Sequence, residues 1–296
     1  MPLTATGDLV AASVADGSAV LAFNAITLEH AEGIAEGAER ARTAVIIQIS
    51  ENTIEFHGGR IAPLAGACGR IAAASSVPMA VHLDHLQDVE LIAEAIDTAA
   101  ELGVTSIMVD AAHLPYEDNV DRTRSFAAAA HRAGLWVEAE LGEIGGKGQA
   151  GASAHLPGVR TDPDEAAAFT EHTAVDALAV AVGNTHAMTT RTAELDLELI
   201  RTLAARVPSP LVLHGSSGVP DAQLRSAVAA GIRKVNVGTA LNLAYTGAVR
   251  AVLAGDPNAT DPRTYLRQSR RAIGDAVAAL CLDVVPSPAA AELEAR

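Results

Sequence analysis

Residues 78–111 read "PMAVHLDHLQDVELIAEAIDTAAELGVTSIMVDA". The stretch 78–85 is apolar up to its last residues, which favours a short buried strand. Residues 88–103 carry apolar side chains every three or four positions and end in Gly103, as an amphipathic helix with a glycine cap does. A second apolar run, 105–111, follows. A strand, a helix and another strand in this order predict a right-handed βαβ unit with parallel strands.

The same alternation continues along the whole chain and predicts eight strands. They are residues 19–25, 43–50, 78–85, 105–111, 135–141, 176–183, 210–215 and 232–238. Eight such units predict a closed (β/α)8 TIM barrel. An open, doubly wound sheet is the alternative, but no predicted strand is followed by a clean G-x-G-x-x-G turn. No Pro/Ser-rich linker divides the chain, so we predict one barrel domain over residues 1–285 and a peripheral tail over 286–296.

Composition and charge narrow the functional class. The 296 residues are 49% hydrophobic but only 3% aromatic, so the core must consist of Ala, Val, Leu and Ile. The net charge of −15 argues against a nucleic-acid partner, although a local pocket of backbone N–H groups can still bind a phosphorylated metabolite. Cys68 and Cys281 suggest neither a disulfide framework nor a zinc knuckle. Without a membrane-length apolar run or a signal-peptide pattern, a soluble cytoplasmic protein is expected.

The predicted strands share one further feature, a polar residue at or just beyond the carboxyl end, which is where barrels of this type build their active sites. In strand order these are Asn24, Ser50, Asp84 with His85, Asp110, Glu140, His186, His214, and Asn236 with Thr239. A single polar strand end is expected because it meets water. Three histidines at one rim, in a chain with 10 in total, are harder to attribute to chance.

The three rim histidines indicate a metal site. Neutral imidazoles from His85, His186 and His214, with a carboxylate beside one of them, are a typical ligand set for an open catalytic zinc site. Asp84, next to a ligand, is then a natural general acid or base. Because Asp84 and His85 have opposite parity in an ideal strand, the strand must end or twist there for both side chains to reach one pocket.

Two Gly/Ser/Thr-rich turns predict a phosphate site. "HGSSG" (214–218) and "NVGT" (236–239) follow the seventh and eighth predicted strands, where barrels often bind phosphate through backbone N–H groups and helix N-termini. The expected donors are Gly215, Ser217, Gly238 and Thr239.

The remaining histidines are interpreted as structural or solvent-facing. His82 has the same strand parity as Asp84 and is the candidate for a supporting contact to it. His30, in a predicted helix, is expected on the helix surface.

With these residues in place, the chain resembles the class II, zinc-dependent fructose- and tagatose-bisphosphate aldolases. The matching stretches run in the family's order from about residue 20 to about residue 275. They are "AFNAITLEH", "VIIQISENTIEFHGG", "VHLDH", "VEAELGEIGG", "AVAVGNTHA", "LVLHGSSGV", "KVNVGTAL" and "DPRTYL".

The resemblance implies a role for each rim residue. Zinc ligands are implied at His85, His186 and His214, with a monovalent cation as an additional candidate cofactor. A catalytic Asp84 would move the proton of the aldehyde or C4 hydroxyl. A donor site for dihydroxyacetone phosphate is implied at Asn24, Ser50, Ser217, Asn236 and Thr239. Asp110 and Glu140 match carboxylates that can take the metal in an alternative, buried position.

The resemblance also implies an oligomer. Family members are usually homodimers or homotetramers, and an arginine of the neighbouring subunit can hold the far phosphate of the sugar. The candidates here are Arg263, Arg267 and Arg270.

The chain departs from the family pattern at the pocket rim. "GGKGQAG" (145–151) has no acid where the family loop carries a proton-transferring carboxylate, which is expected to slow donor proton transfer by about 10²–10⁴-fold. Ala187 and Thr190 replace a Gly and a Lys, and Ser216 replaces a Gly. Ala111 and Ala112 stand in place of a Gly-Ser pair. The recognition residues have therefore changed more than the metal residues.

Four hypotheses follow from the sequence. The leading one is zinc-dependent aldol cleavage and condensation of a ketose phosphate. A second keeps the enolising chemistry on a different or unphosphorylated substrate, as an epimerase or a specialised aldolase. A third is Schiff-base chemistry, for which Lys147 and Lys234 are the only lysines. The fourth is a non-catalytic barrel that binds a metal and a ligand.

Overall fold

A computed structural model describes residues 2–141, 160–184 and 191–285. In it, eight parallel strands close into a barrel in chain order, with the last strand paired to the first. The strands are β1 (Val20–Asn24), β2 (Val45–Ser50), β3 (Met79–Leu86), β4 (Ser106–Val109), β5 (Trp136–Glu140), β6 (Ala177–Ala179), β7 (Leu211–Leu213) and β8 (Ile232–Val237). The predicted (β/α)8 barrel is confirmed, and the open doubly wound sheet is wrong because β1 and β8 pair.

Helices separate the strands and cover the outside of the barrel. Those in the described ranges are α1 (Thr6–Asp16), α2 (Leu28–Ala41), α3 (Glu51–Phe56), α4 (Ala62–Ala74), α5 (Val89–Leu102), α6 (Tyr116–Arg132), α7 (Pro163–Thr173), α8 (Leu197–Arg206), α9 (Asp221–Ala230), α10 (Thr239–Gly255) and α11 (Pro262–Val284). None of these has both the length and the apolar character needed to cross a bilayer.

The helix predicted over residues 88–103 forms as α5. The side chain of Asp88 caps its N-terminus by accepting two backbone N–H bonds, and Gly103 ends it in the left-handed conformation with φ of 74°. Ile92 and Ala99 are fully or almost fully buried against the barrel, whereas Val89 in the first turn stays 45% exposed. Burial of one helix face fixes α5 against the sheet and orients the strand ends on either side of it.

The amino-terminal end of the barrel is closed by α1, which lies before the first strand. Leu9 and Val10 of this helix pack with Val20, Ile46 and Trp136 at the bottom of the barrel. The bottom is therefore an apolar plug, and the polar strand ends lie at the opposite end.

The two helices after β8 extend the outer layer. α10 follows β8 directly, so its N-terminus lies at the carboxyl end of the barrel. α11 packs closely on α2 because Gly33 and Gly37 of α2 have no Cβ. A Cβ on Gly33 would collide with Ile273, and one on Gly37 would collide with Val277.

Candidate active site

A cavity of about 450 Å³ opens at the carboxyl ends of the strands, within the range usual for small-molecule sites. Nine of the residues predicted to form a site line it. They are Asn24, Ser50, Asp84, His85, Gly215, Ser217, Asn236, Gly238 and Thr239. The structure thus places the proposed catalytic carboxylate and the proposed phosphate turns around one cavity.

Asp84 and His85 both face this cavity because β3 is irregular at its end. Asp84 is still paired with Ser50 of β2, but the register against β4 shifts between Leu83 and Leu86. His85 adopts a left-handed conformation with φ of 53°. This bulge breaks the alternation of side chains, so two adjacent residues enter the same cavity, as the parity argument required.

His85 is held by a carboxylate of the neighbouring strand end. Its Nδ1 lies 2.9 Å from Oδ2 of Asp110, which also accepts a bond from Gln87. Burial alone would lower the pKa of His85, but Asp84 and Asp110 outweigh it and raise that pKa to about 10. The two carboxylates therefore favour a positive charge beside them. A protonated His85 supplies that charge, and a divalent cation bound to a neutral His85 would supply it as well.

His214 lies beneath the cavity, edge-on to His85 with ring centroids 4.8 Å apart. Its Nε2 is 2.8 Å from Oε1 of Glu138, and Oε2 of the same carboxylate is 2.8 Å from Nζ of Lys234. His214, Glu138 and Lys234 are all fully buried. The sequence interpretation missed Glu138, although it shares strand parity with Glu140 two residues later.

Three clusters of described residues could hold a metal ion, each with ligand atoms within 4.8 Å of one another. The clusters are Asp84–His85–His214, His82–Asp84–Glu138 and His85–Asp110–Glu140. The first joins two predicted ligands with the predicted catalytic acid, and its donor set of two imidazoles and a carboxylate suits zinc. The third contains Asp110 and Glu140, the carboxylates predicted to take the metal in an alternative position. In the second, the ammonium of Lys234 already neutralises Glu138 and would repel a cation.

Asp84 is almost fully buried and is surrounded by donors. Its two oxygens accept bonds from Nε2 of Gln48 at 3.2 Å and from Nδ2 of Asn236 at 3.4 Å, and His82 Nε2 lies 3.6 Å away. Burial raises the pKa of Asp84, but His85 and His82 outweigh it and hold that pKa well below its ordinary value. Asp84 is therefore an ionised carboxylate that can accept a proton. Gln48, which was not predicted, also donates to Asn24.

The turn after β7 is tied to the turn after β8. Gly215 has φ of 62°, which favours glycine, and the Ser216 hydroxyl donates to the carbonyl of Asn236 at 2.6 Å. Ser217 Oγ accepts the backbone N–H of Ala240 at 3.1 Å, in the first turn of α10. Ser216, which replaces a family glycine, is thus bonded to backbone, and Ser217 fixes its turn on the N-terminus of a helix.

Ser50 and the three predicted arginines lie in different surroundings. Ser50 lines the cavity and also caps α3 by accepting the N–H of Thr53 at 3.3 Å. Arg263 and Arg267 are exposed near the start of α11, whereas Arg270 forms an ion pair with Glu32 at 3.0 Å.

His30 and Lys234 are both buried. His30 is not on the surface as expected: it is buried and stacks on Tyr245 of α10 at 4.4 Å. Lys234 does not line the cavity and is bound to Glu138 and Asn236, which weighs against its use as a Schiff-base nucleophile. His186, Lys147, Ala187, Thr190 and the tail 286–296 lie outside the described residues.

The fold and the site together define an aldolase-type barrel, with imidazole and carboxylate ligands beside a cavity at the carboxyl ends of its strands. Residues 4–286 match the class II fructose-bisphosphate aldolase family. The chain belongs to this family, and it is accordingly an enzyme of the carbon–carbon lyase class.

Solved structures agree with this assignment. The YdjI aldolase from Escherichia coli K12 is 29% identical, with 96% of this chain and 98% of that chain covered and a TM-score of 0.79. A protein assigned as a fructose-1,6-bisphosphate aldolase from Coccidioides immitis is also 29% identical, with 94% and 95% covered and a TM-score of 0.80. Fructose-bisphosphate aldolase from Campylobacter jejuni, at 21% identity, covers 94% and 93% with a TM-score of 0.78 and shows the shared fold.

Proposed function

We propose that the chain is a zinc-dependent aldolase that cleaves and forms a ketose phosphate, with dihydroxyacetone phosphate as the donor. The observation that carries the proposal is the convergence of Asp84, His85 and His214 beside the cavity that the Gly215 and Gly238 turns also line. Metal ligands, a proton-transferring carboxylate and a phosphate turn are the three parts that this reaction needs.

His85, His214 and the predicted ligand His186 would hold the zinc ion. When bound, the zinc supplies a Lewis acid that stabilises the negative charge developing on the donor. Asp110 and Glu138 orient the two described imidazoles through hydrogen bonds of 2.9 and 2.8 Å. With those nitrogens engaged, Nε2 of His85 and Nδ1 of His214 would be the atoms that hold the metal.

Asp84 would transfer the proton at the acceptor oxygen, the C4 hydroxyl in cleavage and the aldehyde oxygen in condensation. Gln48 and Asn236 hold its carboxylate in place. Gln48 also lines the cavity, and its buried Oε1 has no hydrogen-bond partner among the described residues. That oxygen would accept a bond from a substrate hydroxyl.

The phosphate of the donor would bind at the turns after β7 and β8. Gly215, Ser217 and Thr239 line this side of the cavity. The oxygen of Ser217 accepts from Ala240, and that bond leaves the hydroxyl proton to be donated to the phosphate. The N-terminus of α10 adds a favourable field for an anion.

Exchange of the C3 proton of dihydroxyacetone phosphate in D₂O, followed by NMR, tests this function. Zinc-loaded protein should catalyse the exchange, chelator-treated protein should not, and added Zn²⁺ should restore it. His214→Ala is the control for zinc acting away from the site. Exchange that is unaffected by chelation and by this variant would reject the metal-dependent mechanism.

A second candidate is an aldolase or epimerase that acts on an unphosphorylated or differently substituted substrate. None of the described residues that line the cavity is a Lys or Arg, and beside the Gly215 and Gly238 turns a phosphate would meet only neutral donors. A zinc-loaded protein that leaves dihydroxyacetone phosphate unchanged but exchanges the corresponding proton of unphosphorylated dihydroxyacetone would favour this candidate.

The assembly proposed for the enzyme is a homodimer or homotetramer in the cytoplasm. Leu243 and Leu253 of α10 are 50% and 38% exposed, and they are candidates for burial in such an assembly. Arg263 and Arg267, exposed on α11, are the candidates for a phosphate contact in a neighbouring subunit. Light scattering of the purified protein measures the oligomer, and a monomer at working concentrations would contradict it.

A further inference from the structure

Lys234 lies inside the barrel, below the cavity, where a charged side chain is unusual. It is fully buried on β8, and its ammonium has partners on two strands. Nζ is 2.8 Å from Oε2 of Glu138 on β5 and donates to Oδ1 of Asn236 at 2.6 Å. Each partner in turn contacts a residue of the proposed reaction centre.

The first contact leads to a metal ligand. Glu138 forms an ion pair with Lys234, whose ammonium lies 2.8 Å from Oε2, and a carboxylate in such a pair is ionised. An ionised carboxylate can only accept, so the proton between Glu138 Oε1 and His214 must lie on Nε2 of the ring. That tautomer leaves Nδ1 as the ring atom that can bind a metal.

The second contact leads to Asp84. Because Oδ1 of Asn236 accepts from the ammonium, the NH₂ group of the same amide is directed at Oδ1 of Asp84, 3.4 Å away. The ammonium and the Asp84 carboxylate both favour this orientation of the amide, so loss of the ammonium removes one of the two contacts that hold it. A flipped amide would place an oxygen against the carboxylate.

We propose that Lys234 is a positioning residue whose single ammonium orients both halves of the site, His214 through Glu138 and Asp84 through Asn236. The inference rests on the metal-dependent aldolase proposed above. A fully buried ion pair is weak support for stability, since apolar replacements are often tolerated. An orienting role therefore predicts that removing the pair impairs metal binding more than it impairs folding.

The test compares wild type with the double variant Lys234→Met/Glu138→Gln. The double change removes both charges together and leaves no unpaired charge in the barrel. Thr173→Val is the matched control, because it deletes a buried hydrogen bond of 2.7 Å to Phe169 on the outer helix α7. The affinity for Zn²⁺ is measured by competition with a chromophoric chelator, and the His214 tautomer by ¹⁵N NMR of metal-free protein.

The double variant should bind Zn²⁺ about 10–100-fold more weakly, as loss of a residue that orients a ligand does. Its His214 ring should change from the Nε2-protonated tautomer to a mixture. Thr173→Val should show wild-type affinity and the wild-type tautomer at a similar loss of melting temperature. Lys234→Gln, which keeps one hydrogen bond without the charge, is the second variant if the double variant does not fold, and should weaken Zn²⁺ in the same direction.

Wild-type zinc affinity and an unchanged His214 tautomer in the folded variants would overturn the inference. Failure of the proposed function gives a different result, because wild-type protein would then show no zinc-dependent exchange. The tautomer is read without metal, so it tests the positioning role in either case.

Discussion

The conformation of His85 shows how one residue shapes the site. A non-glycine residue with positive φ is uncommon and costs energy, and such residues cluster where geometry serves function. Here the value of 53° belongs to the bulge that turns the end of β3. A regular strand would send Asp84 and His85 to opposite faces, so the local strain is what allows a proton-transferring group and a metal ligand to be neighbours.

Asp84→Asn tests the assignment of the proton-transferring group. The amide keeps the shape of the carboxylate but cannot take a proton, so aldol cleavage should fall by about 10²–10⁴-fold. Exchange of the donor C3 proton should continue, because it does not involve the acceptor oxygen. Parallel assays of cleavage and exchange make the measurement. Equal loss in both assays would assign Asp84 to the donor side instead.

At the residue level, polarity at strand ends was the signal that singled out the candidate site residues. Asp84, His85 and His214 were found in this way, and they converge. Glu138 was missed because it lies two residues before the end of β5 and inside the barrel, where an apolar residue is expected. Its burial is tolerated because Lys234 arrives from β8, a contact between distant segments that local sequence does not reveal.

At the scale of elements, helix α4 offers a comparison of two glycines three positions apart. A Cβ on Gly69 would lie 2.2 Å from the carbonyl oxygen of Leu102, whereas on Gly66 its nearest contact is Leu102 Cδ2 at 3.5 Å. Gly69→Ala should therefore lower the free energy of unfolding by about 1–3 kcal/mol. Gly66→Ala should raise it by about 0.5–1 kcal/mol, because alanine is the better helix former.

Urea unfolding of both variants measures these changes. Similar stability for Gly69→Ala and Gly66→Ala would show that α4 can move away from the end of α5, and would contradict the close approach of the two helices.

The link between the β7 turn and α10 predicts a binding effect. Ser217→Ala removes both the acceptor for the Ala240 N–H and a donor to the phosphate. The KM for the phosphorylated donor should rise about 2–10-fold, corresponding to about 0.5–1.5 kcal/mol for a lost hydrogen bond. Ser226→Ala on α9, which loses only a bond to Ala222, is the control. An unchanged KM in Ser217→Ala would move the phosphate away from this turn.

Strand positions were predictable because β-branched runs alternate with helical spacing, but their lengths were not. β6 and β7 have three residues each, although longer runs were predicted over 176–183 and 210–215. In both, the chain leaves the sheet at the rim, while apolar residues such as Val180 and Val182 stay buried in the turn. Burial of a turn has the same sequence pattern as burial of a strand.

For the whole molecule, metal binding should stabilise the fold. Zinc that binds only the folded state at a free concentration 100 times Kd should raise the free energy of unfolding by about 2.7 kcal/mol. The His214→Ala variant should show little of this gain, because it lacks one ligand. Thermal unfolding with and without Zn²⁺ measures both. Equal stabilisation of wild type and variant would place the zinc outside the proposed site.

The barrel could be predicted from the sequence, but the helices α1 and α11 outside its repeating units could not. Eight βα units leave few architectures other than closure, so the topology followed from the count. The plug helix α1 and the outer helix α11 were not predicted, because what makes them part of the structure is contact with distant residues, Trp136 for α1 and Gly33 for α11. His30 was likewise misplaced because Tyr245 covers it from α10.

The central claim is that His85 and His214 hold a catalytic metal beside Asp84. An anomalous difference map at the zinc edge, from crystals grown with Zn²⁺, tests it most directly. The account predicts a single strong peak about 2.0–2.1 Å from both His85 Nε2 and His214 Nδ1. A peak in the His82–Asp84–Glu138 cluster, or none near either ring, would contradict it.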